Sequence, residues 1–107
     1  MTNKFQAKPF KSIEIIGRRW FQRSYGNTYN TVVITIGTDN GYEEHELPIE
    51  YGYGDYYLQR AMVWLGENGW LNITRNSNGS YDTPLYSDRE ALQIHTSVQD
   101  VQRKKDL

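Results

Sequence analysis

The residues best suited to binding chemistry lie together in one short stretch, where arginines alternate with aromatic side chains. The stretch holds Arg18, Arg19, Trp20, Phe21, Arg23 and Tyr25. Arginines combined with aromatic rings on a sheet hold single-stranded nucleic acid or bases in several modules. The same residue types are enriched at the hot spots of protein interfaces. A structural interpretation also stays open, in which the aromatics pack on a helix and the arginines pair with glutamates across a hairpin.

Acidic residues and a histidine form a second cluster, at Glu43, Glu44, His45 and Glu46. We expect Glu44 and Glu46 to share one face of a strand, where paired carboxylates perform acid–base or glycosidic chemistry if a cleft holds them close together. The pattern is more typical of an exposed sheet face or of a guarded edge strand. His45 is expected to be a partly buried structural residue. Because no His-Glu-x-x-His pair is present, no metal site is predicted.

The segment from Tyr51 to Asp55 places two glycines directly before a predicted helix. This outline resembles an anion-binding loop at a helix N-terminus. However, the phosphate-binding glycine patterns are absent, and Asp55 would repel a phosphate. We therefore interpret the loop as a tight turn and keep Tyr53 as a candidate binding residue. Nucleophile motifs such as Gly-x-Ser-x-Gly are also absent, so neither enzymatic activity nor a cofactor is expected.

Composition limits the possible classes of protein. The chain has 107 residues, which predicts a single domain over residues 1–107. A formal net charge of −1 gives no support to whole-protein attraction to nucleic acid or anionic lipid. The absence of cysteine excludes disulfides and thiolate chemistry. No apolar run reaches the roughly 20 residues that cross a bilayer, so we expect a cytoplasmic protein without a membrane partner.

Alternating hydrophobic residues and turn signals predict three consecutive antiparallel strands. They cover residues 12–23, 29–37 and 42–51. Gly17 inside the first strand predicts a bulge. Pro48 in the third strand lacks an amide proton, which predicts an edge strand or a break near that position. Leu47, Ile49 and Tyr51 are expected to share a face of this strand with His45, and as an edge the strand would also permit a homodimer.

The remaining chain predicts one main helix and a C-terminal strand. Apolar residues at helical spacing indicate a helix from about 55 to 67, with Asp55 as its cap and Gly66 or Gly69 as its end. The spacing of Ser87 and Glu90 fits a capping box for a second, short helix. Residues 92–101 fit a strand or a helix, and their β-branched residues favour the strand. The prediction is an α+β domain, with an antiparallel sheet on one helix between a flexible leader (1–11) and a charged tail (102–107).

Three segments resemble a group of small uncharacterised proteins that bacteriophages and other mobile elements carry. They are Arg19–Tyr29, Tyr51–Tyr57 and Asp100–Leu107. The resemblance implies a protein that acts in the cytoplasm of a host cell by binding, in some cases against host defence, as anti-CRISPR proteins do. Such a genomic setting is an analogy about function and identifies no mechanism.

From these observations we expect a non-enzymatic protein that binds a host protein or protein complex. The candidate binding residues are Arg18, Arg19, Trp20, Arg23, Tyr25 and Tyr53. The alternative is a module that binds nucleic acid or a nucleotide through the same hairpin and the basic tail. A small enzyme using Glu44, Glu46 or His45 is a third hypothesis, and it requires a concave pocket.

Overall fold

The computed structural model describes residues 3–107 and has the predicted α+β architecture. The strands are β1 Ser12–Gln22, β2 Asn27–Thr38, β3 Gly41–Tyr51, β4 Thr74–Arg75, β5 Tyr81–Asp82 and β6 Ile94–Val101. The helices are α1 Tyr56–Glu67 and α2 Tyr86–Ala91, and a 3-10 turn follows at Lys104–Asp106. The prediction of three N-terminal strands, one main helix and a C-terminal strand is confirmed.

The main sheet has the strand order β3-β2-β1-β6. The first three strands are antiparallel, whereas β6 runs parallel to β1, so the sheet is mixed. A parallel neighbour requires a crossover connection, and the long segment with α1 and α2 provides it. The strand interpretation of residues 92–101 is therefore confirmed over Ile94–Val101.

One face of the sheet, here called the inner face, packs against α1 and forms the core. The core side chains of β1, β2 and α1 are Ile13, Ile15, Val32, Ile34, Ile36, Tyr57, Ala61, Met62 and Leu65. Gly17 lies on this face, and a Cβ there would come within 2.5 Å of Cγ in the Tyr57 ring. The predicted bulge at Gly17 is wrong, because pairing with β2 is continuous from Ser12 to Gln22. The missing side chain instead makes room for an aromatic ring.

The edge strand β3 is interrupted next to Pro48, as the sequence predicts. Asn30 pairs with Glu50 and Val32 with Leu47, which leaves one extra residue on β3. This bulge reverses the alternation of faces beyond it. Tyr51 consequently pairs with Tyr29 on the face turned away from α1, here called the outer face. The prediction that Ile49 and Tyr51 share a face with His45 and Leu47 is wrong for this reason.

The helix boundaries agree with the prediction, but the caps differ. Asp55 directly precedes α1 and makes no capping hydrogen bond through its side chain. Its backbone, at φ −93° and ψ 17°, is not extended, so it lacks the usual conformation of a capping residue. Gly69, at φ 79°, follows the helix end as predicted. Leu85 precedes α2, which places Ser87 inside that helix, so the predicted capping box is wrong.

Both terminal segments contact the domain within the described residues. Phe5 is only 3% exposed and belongs to the core, and its carbonyl accepts a hydrogen bond from the Asn72 amide. Residues 1 and 2 of the predicted leader lie outside the described residues. In the charged tail, the 3-10 turn places Lys104 beside the outer face, and Leu107 lines a cavity there with Arg18.

Candidate functional site

Aromatic side chains collect at the end of the sheet where β1 turns into β2 and where β3 and β6 finish. This group, here called the aromatic end, consists of Trp20, Phe21, Tyr25, Tyr29, Tyr51 and Tyr53. Strand pairing brings its members together, because Trp20 lies opposite Tyr29 and Tyr29 lies opposite Tyr51. The rings of Trp20, Tyr29 and Tyr51 thus share the outer face, whereas Phe21, which alternates with Trp20 along β1, lies on the inner side of the same end of the sheet.

Three of these rings, here called the aromatic stack, lie in a row across the outer face. Trp20 and Tyr29 are stacked, with centroids 5.9 Å apart and an interplanar angle of 26°. Tyr29 and Tyr51 meet edge to face, at 5.9 Å and 78°. Both arrangements suit the charge distribution of aromatic rings, and each contributes about 0.5–1.5 kcal/mol beyond area burial. The aromatic stack is therefore a pre-organised apolar surface.

A cavity of about 260 Å³ opens beside the aromatic stack. Besides the three rings, Ile49 and Lys104 contribute to its wall. Ile49 reaches this position because it lies at the β3 bulge, and it remains 42% exposed. Gln22 and Glu50 also line the cavity, so it combines apolar side chains with polar groups of both charges.

The other members of the aromatic end project into solvent. Tyr25 in the β1–β2 turn is 76% exposed, and Tyr53 in the loop before α1 is 70% exposed. Phe21 and Tyr51 are more than half exposed as well. Single exposed hydrophobic residues are ordinary, but a group at one place on the surface is typical of an interaction site.

The predicted arginines do not act as one group. Arg19 lies on the inner face, where its Nε and one terminal nitrogen donate to the two carboxylate oxygens of Asp100 at 2.8 and 3.2 Å. Its other terminal nitrogen donates to the Gly54 carbonyl at 3.0 Å. Arg19 therefore ties the loop before α1 to β6. Within residues 3–107, Arg18 on the outer face and Arg23 in the turn form no ion pair.

The predicted pairing of these arginines with the glutamates of β3 is wrong. β2 lies between β1 and β3, so the two strands are about 10 Å apart, at about 4.8 Å for each strand spacing. Arg19 instead pairs with Asp100, and Glu43 and Glu50 contact His45 and Arg60, so no ion pair joins β1 to β3 within residues 3–107. The structural interpretation also expected the aromatic side chains to pack on a helix. The aromatic stack instead faces away from α1.

The acidic cluster does not converge into a catalytic group. Glu44 and Glu46 share the exposed outer face, as predicted, whereas His45 points to the inner face. There the His45 ring lies 4.4 Å from the Trp64 ring, and its Nε2 is 2.8 Å from a carboxylate oxygen of Glu43. His45 thus has structural contacts. No group of three or more His, Asp or Glu side chains within residues 3–107 is placed to hold a metal ion.

A polar cluster that the sequence did not indicate is centred on Arg60 of α1. Its side chain is 8% exposed and forms an ion pair with Glu50 at 3.2 Å. Its guanidinium also donates to the Asn30 side chain at 2.7 Å and to the Pro48 carbonyl at 2.7 Å. These are groups beside the β3 bulge, where strand pairing is interrupted. Arg60 therefore replaces ladder hydrogen bonds that the bulge removes.

Two adjacent tyrosines in the first turn of α1 have raised pKa values. The hydrogen bond that Tyr56 donates to Glu50, at 2.7 Å, is the main reason why the pKa of Tyr56 lies above 10.0. Burial is the main cause that raises the pKa of Tyr57, and the charge of Asp55 adds to it. Both hydroxyls therefore stay protonated at neutral pH, which is the wrong direction for a nucleophile or a base.

The residues that sequence reasoning missed are Tyr29, Ile49 and Tyr51, whereas Lys104 was included only as part of the basic tail. The register of the first hairpin would have indicated Tyr29, because the observed turn between Gln22 and Asn27 places it opposite Trp20. Ile49 and Tyr51 depend on the bulge. Lys104 depends on the 3-10 turn after β6, for which no sequence signal exists.

Comparison of the chain with protein-family models, curated proteins and solved structures finds no match in any of the three. Of the helices in residues 3–107, none is long and apolar enough to cross a membrane. A functional proposal must therefore depend on the geometry of the aromatic end.

Proposed function

We propose that this protein is a non-enzymatic binding protein that holds another protein at its aromatic end. The observation that carries the proposal is the set of exposed rings around the pre-organised aromatic stack. Tyrosine and tryptophan side chains bury a large area on binding, and their hydroxyl and indole groups can still form hydrogen bonds. Rings that are already packed in the free protein lose little conformational entropy when a partner arrives.

The charges at this surface are partly paired, whereas Arg18, Arg23 and Lys104 form no ion pair within residues 3–107. Arg19 is neutralised by Asp100, and Arg103 forms an ion pair with Asp106 at 3.3 Å. Binding to a phosphate backbone draws its affinity from several free cations along a groove. The free cations here are few and scattered among rings, and a mixture of aromatic residues with arginine is typical of protein interfaces.

The resemblance to phage-carried proteins extends this proposal to the kind of partner. On that analogy the partner is a protein or a defence complex of the host, and binding takes place in the host cytoplasm. Inhibition by such a protein requires only that the bound surface be one that the host complex needs. No catalytic group is required for this mode of action.

A capture experiment with paired variants tests the proposal. Immobilised wild-type protein is exposed to nuclease-treated bacterial lysate, and retained proteins are identified by mass spectrometry. We expect one specific protein to be retained, and we expect Tyr25→Ala and Tyr53→Ala each to weaken its retention. Tyr42→Ala is the matched control, because Tyr42 is 82% exposed but lies at the opposite end of the sheet. Equal retention by all three variants would overturn the proposal.

The second candidate function is the binding of single-stranded nucleic acid on the aromatic stack. The observation that favours it is Lys104 at the rim of a cavity walled by Trp20, Tyr29 and Tyr51. Bases stack on such rings with little sequence preference, and a nearby cation attracts the backbone. This function predicts retention that disappears with nuclease, and an affinity for oligonucleotides that falls steeply with salt.

A further inference from the structure

Strand β6 leaves one edge of the main sheet open. The amide of Ile13 donates to the Gln93 carbonyl at 3.0 Å, which sets the parallel pairing of β1 with β6. Backbone groups alternate in direction along a parallel strand, so those of His95, Ser97 and Gln99 point to β1. The backbone groups of Thr96 and Val98 therefore point away from the sheet. Within residues 3–107, no hydrogen bond from outside β6 reaches them.

The opposite edge of the sheet, at β3, has features that prevent pairing with another chain, whereas the edge at β6 has none of them. β3 carries Pro48, a bulge and four exposed glutamates, all of which discourage pairing with another chain. β6 has no proline, glycine or lysine, and its pairing with β1 runs without interruption over eight residues. An unguarded edge of this length is a template for a further strand.

We propose that two copies of this protein pair antiparallel through β6, so that their sheets join into one of eight strands. A two-fold axis perpendicular to the sheet can centre on Val98, which then lies opposite the partner's Val98. In this register Thr96 lies opposite the partner's Asp100, so a carboxylate that is already paired with its own Arg19 faces a neutral side chain. Neither His95 nor Asp100 lies opposite the same residue of the partner, so this register places no like charges opposite each other. A register centred on Ser97 would instead place Ile94 opposite the partner's Asp100.

The symmetric register also satisfies the outward backbone groups. Thr96, Val98 and Asp100 each present an amide and a carbonyl to the partner strand, and opposed residues in such positions exchange both hydrogen bonds. Val98 is 38% exposed in the single copy, and its contact with the partner's Val98 removes apolar surface from water. The two aromatic ends lie at opposite ends of the joined sheet, so the dimer leaves both free and goes beyond the proposed function.

Cysteine substitution tests the register, because the natural chain contains no cysteine. Residues in a hydrogen-bonded antiparallel pair have Cα atoms about 5.5 Å apart, within the range of a disulfide. We expect Val98→Cys to form a disulfide-linked dimer under mild oxidation. Thr96→Cys is the matched control, because its copies would be about 13 Å apart at about 3.3 Å per residue. Equal cross-linking of both variants would overturn the proposed register.

A proline substitution tests the dimer itself by light scattering. The wild type should have twice the 12.6 kDa mass of one chain. Val98→Pro removes an amide that the single copy leaves unpaired, so it should give folded monomers with an unchanged circular dichroism spectrum. Val98→Ala keeps the amide and should remain dimeric. A monomeric wild type, or a dimeric Val98→Pro, would overturn the proposal, and if the proline variant unfolds, the cysteine pair decides.

Discussion

A methyl group added at Gly17 should destabilise the protein, because the space for it is filled by Tyr57. The new Cβ would lie 2.5 Å from Cγ of the ring, whereas carbon atoms in contact prefer about 3.5–4.0 Å. Cγ lies close to the backbone of α1 and cannot swing aside without moving the helix. Tyr57 is 5% exposed and is surrounded by core residues, so the collision must displace packed structure.

The magnitude follows from two opposing effects. Overpacking of a well-packed core costs about 1–3 kcal/mol. Replacing glycine by alanine restricts the unfolded chain, which returns about 0.4–1 kcal/mol. We therefore expect Gly17→Ala to lower the free energy of unfolding by about 1.3 kcal/mol, the difference between the midpoints of these ranges, whose extremes give about 0 to 2.6 kcal/mol. For a domain of this size each kcal/mol corresponds to about 4–8 °C in Tm.

Urea unfolding followed by tryptophan fluorescence measures this change, and a double-mutant cycle identifies its cause. Tyr57→Ala alone should cost about 3–5 kcal/mol, as removal of a buried aromatic ring usually does. In the Tyr57→Ala background the collision is absent, so Gly17→Ala should cost nothing or stabilise slightly. The coupling energy should then be about 1–3 kcal/mol. If Gly17→Ala costs the same in both backgrounds, the ring is not the reason for the glycine.

Two further predictions concern α1. Arg60→Met should lower the free energy of unfolding by about 1–3 kcal/mol, because the buried side chain of Asn30 loses its hydrogen-bond donor. Urea midpoints measure this loss against Gln59→Met, an exposed control on the same helix. Equal midpoints for the two variants would contradict the prediction. The raised pKa of Tyr57 favours the protonated fold, so its contribution is complete below pH 10.0 and is lost as pH rises further. Urea midpoints at pH 8 and 11 should therefore fall less for Tyr57→Phe than for the wild type, and an equal fall would exclude this tyrosine as the cause.

Local pattern predicted the elements of the fold because most of them depend on nearby residues. The alternation of Val32, Ile34 and Ile36 identifies β2, and Asn40-Gly41 identifies the turn that follows it. The helix boundary at Gly69 also follows from a local requirement, since a left-handed conformation favours glycine. Caps were less predictable, because Asp55 has a suitable side chain in an unsuitable backbone conformation.

The candidate site was predicted only in part, because its members come from segments that pair over long distances. Trp20 and Tyr25 were identified from their residue types, but the partners that complete the aromatic stack were not. Whether a ring at Tyr51 faces inward or outward depends on a single extra residue at the β3 bulge. Arg19 illustrates the opposite error. Its residue type suggested a role in binding a partner, but its side chain pairs with Asp100 within the protein.

By itself the sequence determined the class of fold and the surface to suspect, because turn residues and hydrophobic period act within a few neighbours. The tertiary structure decided which side chains that surface contains and which strand edge is open. It placed β6 parallel to β1, and it turned Tyr51 to the outer face beside Tyr29. Turn type and loop length fix the register within a hairpin, but the β3 bulge and the pairing of β1 with β6 depend on how whole elements pack on the core, so no local signal in the chain specifies them.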